Sequence, residues 1–372
     1  MCKEHIMKFI CERATLLKEI AIANEIIASK NAISILSNIY LEAVDGILHI
    51  KATDMKVNFE TKVPVDVVEP GSVNVYGDKF FGILNSVPDG EIEFERSDNR
   101  VHIRTKVKRA QFQLKSTASE KYPEFSAGGE SFFELPIKDL KDMITETIFA
   151  ISDDETRYFM NGVYFEKTEG KFIMVATDGR RLAYIEKPAP GGVDDFSGVI
   201  IPPKILNILS RRAGDEGMAE VSVTDKTIFI RFGSYTLSSV LIEGQFPNYR
   251  RVIPENQTNS FTVNRLEMLD ALRRVALLVE QKSHRVYLGL APGAVSVYCE
   301  ENDIGNAREE IPCKYEGEEL SIALNYRYIE EPFKVITGDE INVHFTEYNK
   351  AITIMPVPEK DFFHIVMPMQ QD

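Results

Sequence analysis

The feature that most constrains this chain is a period. The tripeptide Ala-Thr-Asp ends at Asp54 and again at Asp178, each time after a strand-like run, Ile47-Leu48-His49-Ile50 or Phe172-Ile173-Met174-Val175. The two aspartates stand 124 residues apart in a chain of 372, one third of its length. Tyr122-Pro123-Glu124-Phe125 and Phe246-Pro247-Asn248-Tyr249 repeat the same spacing. Self-similarity at a fixed period marks a chain of like structural units, and a chain this long exceeds what one hydrophobic core supports. Polar, turn-rich stretches at Ala127-Gly128-Gly129 and Glu255-Asn256-Gln257 divide it into three units, 1–128, 129–255 and 256–372.

Each third has the same grammar. A short Phe-containing strand (Phe9-Ile10-Cys11, Phe133-Glu134-Leu135, Phe261-Thr262-Val263) leads into an amphipathic helix. The helical faces are Leu16, Ile20, Ala23 and Ile27; Ile137, Leu140, Ile144, Ile148 and Ile151; and Leu266, Leu269, Leu272, Ala276 and Val279. Steps of three and four put each set on one side of a helix, which must pack on an apolar layer. Strand pairs follow, joined by Asp45-Gly46, Glu169-Gly170 and Pro292-Gly293, residue pairs that suit tight hairpin turns. A second helix is predicted at 78–86, 202–212 and 325–335, with Pro332 expected to shorten the last. The fold class is therefore α+β: two helices on antiparallel sheet, three times over.

Composition limits the function. The net charge is −14, whereas a protein that grips DNA phosphates over its whole surface needs positive charge to neutralise them. The balance argues against a tight non-specific DNA binder, but not against one that holds DNA loosely with cations gathered on one face. No apolar run approaches the roughly 20 residues that span a bilayer. The N-terminus has no apolar signal core, and Cys2, Cys11, Cys299 and Cys313 form no Cys-x-x-Cys pair, so reduced cytoplasmic thiols are expected. No phosphate-binding glycine loop, nucleophile elbow or paired metal ligands occur. Six scattered histidines and the acidic Asp153-Asp154-Glu155 and Asp194-Asp195 runs read as structural or solvated groups. No catalytic residues, metal site or cofactor are predicted.

The order of several stretches resembles one family, the bacterial sliding clamp or beta subunit of DNA polymerase III. These are Met7-Lys8-Phe9, Lys79-Phe80-Phe81, Arg157-Tyr158-Phe159-Met160-Asn161-Gly162, Val175 to Leu182, Phe246-Pro247-Asn248-Tyr249-Arg250-Arg251-Val252 and Val366-Met367-Pro368-Met369. The likeness covers the chain beyond an extension of residues 1–6. It implies three clamp domains and a head-to-tail homodimer closed into a ring around duplex DNA. Such a ring tethers the replicative polymerase by topology, without sequence readout and without a catalytic site of its own. The DNA-facing helices would carry Lys18, Lys138, Lys141, Lys204, Arg211, Arg212, Arg273 and Arg274, with Lys30 in the loop after the first helix. Asp154 falls on a further family DNA contact that is usually neutral. Phe112 and Leu114 would meet Leu277 and Leu278 of a second copy.

The resemblance also implies a pocket between the second and third domains. It would capture linear peptides, rich in Leu and Phe with a leading Gln, from the polymerase III catalytic subunit, the clamp loader, other polymerases and mismatch-repair proteins. Matching positions are Met160, Thr177, Gly179, Arg180, Arg181, Leu182, Pro247, Arg251, Val252, Asn325, Tyr328, Asn349, Ala351, Ile365, Met367, Pro368 and Met369. Methionines adapt to varied partners, Gly179 allows close backbone approach, and Arg181 or Arg251 could donate to peptide carbonyls. Two other readings stay open: a nucleic-acid-processing enzyme of repeated α+β units, and a peptide-binding scaffold of this fold that does not encircle DNA.

Overall fold

The computed structural model describes residues 7–27, 34–107, 109–117, 122–125, 128 and 131–370. The chain divides into two compact units, Met1–Ile137 with Lys204–Leu241, and Lys138–Pro203 with Ile242–Asp372. Six α-helices occur among the described residues: α1 (Arg13–Ile26), α2 (Gly77–Ser86), α3 (Ile137–Thr145), α4 (Pro203–Arg212), α5 (Arg265–Val275) and α6 (Tyr326–Val335).

The two units cut across the threefold sequence period, because the middle third lends strands to both. The first unit carries a 13-stranded antiparallel sheet, in which strand Tyr235–Val240 pairs with Val57–Pro64 and sets Leu237 opposite Phe59. The second carries a 12-stranded sheet, in which Arg181–Pro188 pairs with Phe362–Val366 and sets Leu182 opposite Ile365. Consecutive thirds are thus joined by main-chain ladders, each continuing one sheet from one third into the next.

The hairpins form where Gly-containing turns were predicted. Asp45 and Gly46 both take positive φ, as do Glu169 and Gly170, the backbone a two-residue turn needs to match strand twist. The pairing Leu41↔Ile50 then puts apolar residues on one face. In α1, Leu16, Ile20, Ala23 and Ile26 are buried, each Leu or Ile contributing about 1.5–3 kcal/mol of burial.

Three details depart from the periodicity. The second-third helix ends at Thr145 instead of reaching Ile151, and a 3-10 turn follows at Ile148–Ala150. There Thr147 Oγ1 donates to the Met143 carbonyl at 2.6 Å, a side-chain bond that competes with the helical ladder. Leu266 is 55% exposed; the buried face of α5 is Met268, Leu269, Ala271, Leu272 and Val275. Pro332 does not shorten α6, which spans 10 residues like α2 and α4. Burial of Ile329, Pro332 and Phe333 on one face offsets the lost backbone bond.

One device escapes hydrophobic patterning. The first residue of α1, Arg13, donates from Nε to the Leu84 carbonyl at the end of α2. Arg265 of α5 does the same to Phe333 and Gly338 near the end of α6. Cations at a helix C-terminus satisfy its open carbonyls and oppose its dipole.

Candidate functional site

The second unit is built around the turn 177–182. Thr177 Oγ1 accepts from the Gly179 amide (3.0 Å) and donates to the Arg181 carbonyl (2.6 Å). Asp178 Oδ1 accepts from the Arg180 and Arg181 amides at 2.9 and 3.1 Å. Gly179 has φ +87°, and a Cβ there would stand 3.0 Å from Arg157 Nη1, so both backbone and space favour glycine. Arg157 itself donates to the Asp178 carbonyl and pairs through Nε with Asp154. Hydrogen bonds from Thr156, then Arg157, hold the Asp154 carboxyl below its ordinary range.

Arg181 is spoken for. Its Nε pairs with Asp178 at 3.1 Å, Nη1 with Glu331 of α6, and Nη2 donates to the Phe149 carbonyl at 2.6 Å. Its guanidinium also lies 4.7 Å from the Tyr328 ring centre. All three of its nitrogens are thereby engaged within the unit, where a peptide-facing arginine was expected. The arrangement fastens α6 to the turn, and burial pushes the Tyr328 hydroxyl's pKa up.

Behind the turn lies an apolar cluster of Ile173, Val175, Leu182, Ile200, Phe246, Tyr249 and Ile365, with Ala351 and Phe159 packed on it. The buried Glu166 carboxylate accepts from the Tyr249 hydroxyl (2.7 Å) and Arg250 Nη2 (2.5 Å), pinning the segment that carries Pro247, Arg251 and Val252. Burial and that bond raise the Tyr249 pKa.

In front, a cleft of about 420 Å³ is lined by Arg180, Arg285, Asn325, Tyr328, Met367, Pro368, Met369 and Gln370. Two backbone bonds hold its C-terminal wall: the Met367 amide to the Arg180 carbonyl and the Met369 amide to the Ala323 carbonyl. Six of these residues belong to the set expected from the sequence. Arg285 and Gln370 were missed. Arg285 enters because its strand sets it opposite Asn325, a pairing no local motif announces.

The other expected residues divide by depth. Met160, Thr177, Leu182 and Ile365 are buried, and Pro247 and Ala351 are half-buried. Arg251, Val252 and Asn349 are exposed. Met367, 47% exposed, is an adaptable apolar lip.

The expected cations lie elsewhere. Lys30 falls outside the described residues. Lys18 is exposed near Glu19 at 3.9 Å. Lys138 is exposed and Lys141 half-buried on α3. Lys204 is bound to Asp54 (2.6 Å) and the Ile26 carbonyl (2.8 Å). Arg211 and Arg212 pair with Glu25, Arg273 with Asp270 and Glu330, and Arg274 with Glu309. Phe112 and Leu114 are half-buried on strand Gln111–Thr117, while Leu277 is 78% exposed beside half-buried Leu278. No group of His, Cys, Asp and Glu able to hold a metal ion occurs among the described residues, nor does a helix long and apolar enough to cross a membrane.

Comparison with known proteins places this geometry. Models of the N-terminal, central and C-terminal domains of the DNA polymerase III beta subunit match residues 7–126, 134–248 and 250–370. The beta sliding clamp of Treponema pallidum is 46% identical over 372 residues, covering 98% of this chain and 100% of that one. The Caulobacter vibrioides beta sliding clamp is 31% identical with the same coverage. Among solved structures, DnaN sliding clamps of Pseudomonas aeruginosa and Bartonella birtlesii, both bound to griselimycin, superpose with TM-scores of 0.92 and 0.93. They are 27% and 28% identical to this chain, covering 98% and 99% of it and 100% of each clamp. With three consecutive domains matched along its length, the chain belongs to the beta sliding clamp family of DNA polymerase III.

Proposed function

We propose that two copies of this chain close head to tail into a ring that encircles duplex DNA and tethers the replicative polymerase. In this reading the ring is a processivity factor with no catalytic site of its own, at work in the cytoplasm on the replicating nucleoid. The match of all three clamp domains, end to end, carries the reading. Strand edges support the closure. Among the described residues, 111–115 pair on one side only, with 100–104, and 307–312 pair on one side only, with 294–299. Those edges, near Phe112 and Leu114 in the first third and Leu277 and Leu278 in the last, remain open where thirds within the chain are joined by ladders. Open edges seek a partner strand, and two unlike patches that meet head to tail can close a two-copy ring. Loading the protein on nicked circular DNA with its clamp loader, then linearising the circle, tests this. A topological clamp runs off the ends; retention on linear DNA would falsify the ring.

The cleft beside the 177–182 turn serves as the docking site for linear peptides of the polymerase III catalytic subunit, the clamp loader, other polymerases and mismatch-repair proteins. An apolar cleft with a few polar anchors suits peptide capture. Arg180, which lines it, is exposed and can meet a peptide, whereas Arg181 is engaged internally. Griselimycin, the ligand of two structural relatives, supplies a competition test. A Gln-led, Leu/Phe-rich peptide should be displaced by it, and Leu182→Ala or Met367→Ala should weaken both ligands while the dimer persists. Loss of the dimer in those variants would overturn the pocket assignment.

A further inference from the structure

Every arginine of the set expected to face DNA is already in contact with a carboxylate. Glu25, in the last turn of α1, meets Arg211 Nη2 at 2.8 Å and Arg212 Nη2 at 3.2 Å, both on the last turn of α4. On α5, Arg274 makes two bonds to Glu309, 2.8 Å from Nε and 2.5 Å from Nη2. Arg273 reaches Glu330 at 3.3 Å and Asp270 at 3.7 Å. Arg211, Arg273 and Arg274 keep more than half of their side-chain surface open to solvent, so these pairs lie at the surface and not in a core.

Glu25 is a costly residue for α1 by local rules. A carboxylate at a helix C-terminus is repelled by the negative end of the dipole, and the Ile26 carbonyl next to it already draws Lys204. A second role for the carboxylate explains its place. Two carboxylate oxygens held by guanidinium groups present the same hydrogen-bond geometry as two phosphate oxygens.

We infer that Glu25 and Glu309 act as built-in phosphate mimics, which screen the arginines of the DNA-facing helices and keep the ring's grip on the duplex weak. The inference rests on the clamp reading above. Because exposed ion pairs are weak and easily exchanged, DNA phosphate replaces a carboxylate at little net gain. Each step along the duplex then swaps one anion for another. A ring held by topology needs no stronger contact, and strong phosphate contacts would impede sliding.

The test uses the full chain and a short fluorescent duplex with open ends, titrated over a range of salt. Glu25→Gln and, separately, Glu309→Gln keep side-chain shape and remove the charge; a thermal melt of each verifies folding. Each variant should bind the duplex about three- to tenfold more tightly at low salt. The log–log salt slope should steepen by roughly 1 to 2 for Glu25→Gln and by roughly 1 for Glu309→Gln, at about 0.9 per phosphate contact. A companion variant, Arg211→Gln with Arg212→Gln and Arg274→Gln, should bind more weakly than the parent with a shallower slope. If the companion weakens binding while both glutamine variants keep the parent's affinity and slope, the screening proposal is overturned and the DNA-facing assignment stands. If the companion also matches the parent, the DNA-facing assignment of these arginines fails, and the screen with it.

Discussion

Two turns in this molecule share one hydrogen-bond frame and differ in everything attached to it. At 53–57, Thr53 Oγ1 accepts from the Met55 amide, and Asp54 Oδ1 accepts from the amides of Lys56 and Val57 at 2.9 and 2.7 Å. At 177–181 the same roles fall to Thr177, Gly179, Asp178, Arg180 and Arg181. The residue after the aspartate takes positive φ in both, 75° at Met55 and 87° at Gly179. The differences begin at the next positions. Val57 is buried and Asn58 donates to Ser238, whereas Arg181 binds Asp178 and Glu331 and Leu182 enters the apolar cluster. The second oxygen of Asp54 holds Lys204 of α4, closing that turn with an ion pair. The second oxygen of Asp178 holds Arg181, which carries the connection on to α6 and Tyr328. A shared frame makes a turn; the residues that leave it decide whether the turn is sealed or becomes a wall of a cleft.

Making the second turn like the first should therefore cost most where the arginine goes. Arg181→Val copies Val57 and strands Asp178 and Glu331, and breaking a largely buried pair costs about 3–5 kcal/mol. Chemical denaturation should show that loss, and affinity for the proposed docking peptide should fall with it, because α6 and Tyr328 lose their tie to the turn. Unchanged stability would mean that the arginine is not the fastener. Leu182→Ala comes next: a buried leucine truncated to alanine costs about 2–5 kcal/mol. It also opens the apolar cluster, so peptide affinity should drop along with the unfolding midpoint.

This contrast also marks how far the residues could be read unaided. The period of 124, the Thr-Asp turns and the amphipathic helices were legible because hydrophobic steps and turn residues are local signals. Most of the cleft was located only because the motif order matched a family. What stayed hidden was long-range. Nothing near Arg181 in sequence announces Glu331, and nothing near Arg285 announces Asn325, because strand and helix partners are set by packing. The same limit explains Leu266: its spacing from Leu269 fits a buried stripe, yet α5 is rotated so that Met268, Ala271 and Val275 share the buried face. The division of the middle third between two sheets was invisible for the same reason, since ladder partners such as Leu237 and Phe59 are 178 residues apart.

A smaller effect tests the sealed turn. Burial alone would raise the Asp54 carboxyl, but Lys204 and the two amide donors outweigh it and hold the pKa below the ordinary carboxylate value. The folded form is the one with the lower pKa, so this contribution is complete above the ordinary carboxylate range. It is lost as pH falls through the native value. Lys204→Met should cost about 1 kcal/mol at neutral pH, since the pair is partly exposed. The variant should then lose less stability on acidification than the parent, and parallel unfolding curves at every pH would refute the role given to Lys204.

The smallest prediction concerns the one position where the sealed turn is strained and the other is not. Met55 holds a left-handed backbone with a Cβ present, a conformation that costs an L residue about 1–2 kcal/mol. Its side chain is 59% exposed, so removing it forfeits little burial. Met55→Gly relieves the strain but adds freedom to the unfolded chain, a cost of about 0.5–1 kcal/mol, which leaves a net gain between zero and about 1.5 kcal/mol. Gly179→Met runs the other way: it adds the same strain and sets a Cβ 3.0 Å from Arg157 Nη1, so the guanidinium must give by a few tenths of an ångström where it meets the Asp178 carbonyl. Thermal melts should thus move in opposite directions for the two exchanges, and peptide binding should change only in the second. If both exchanges shift the melt alike, the two frames are not equivalent, and the glycine marks something other than the crowding of Arg157 over the turn.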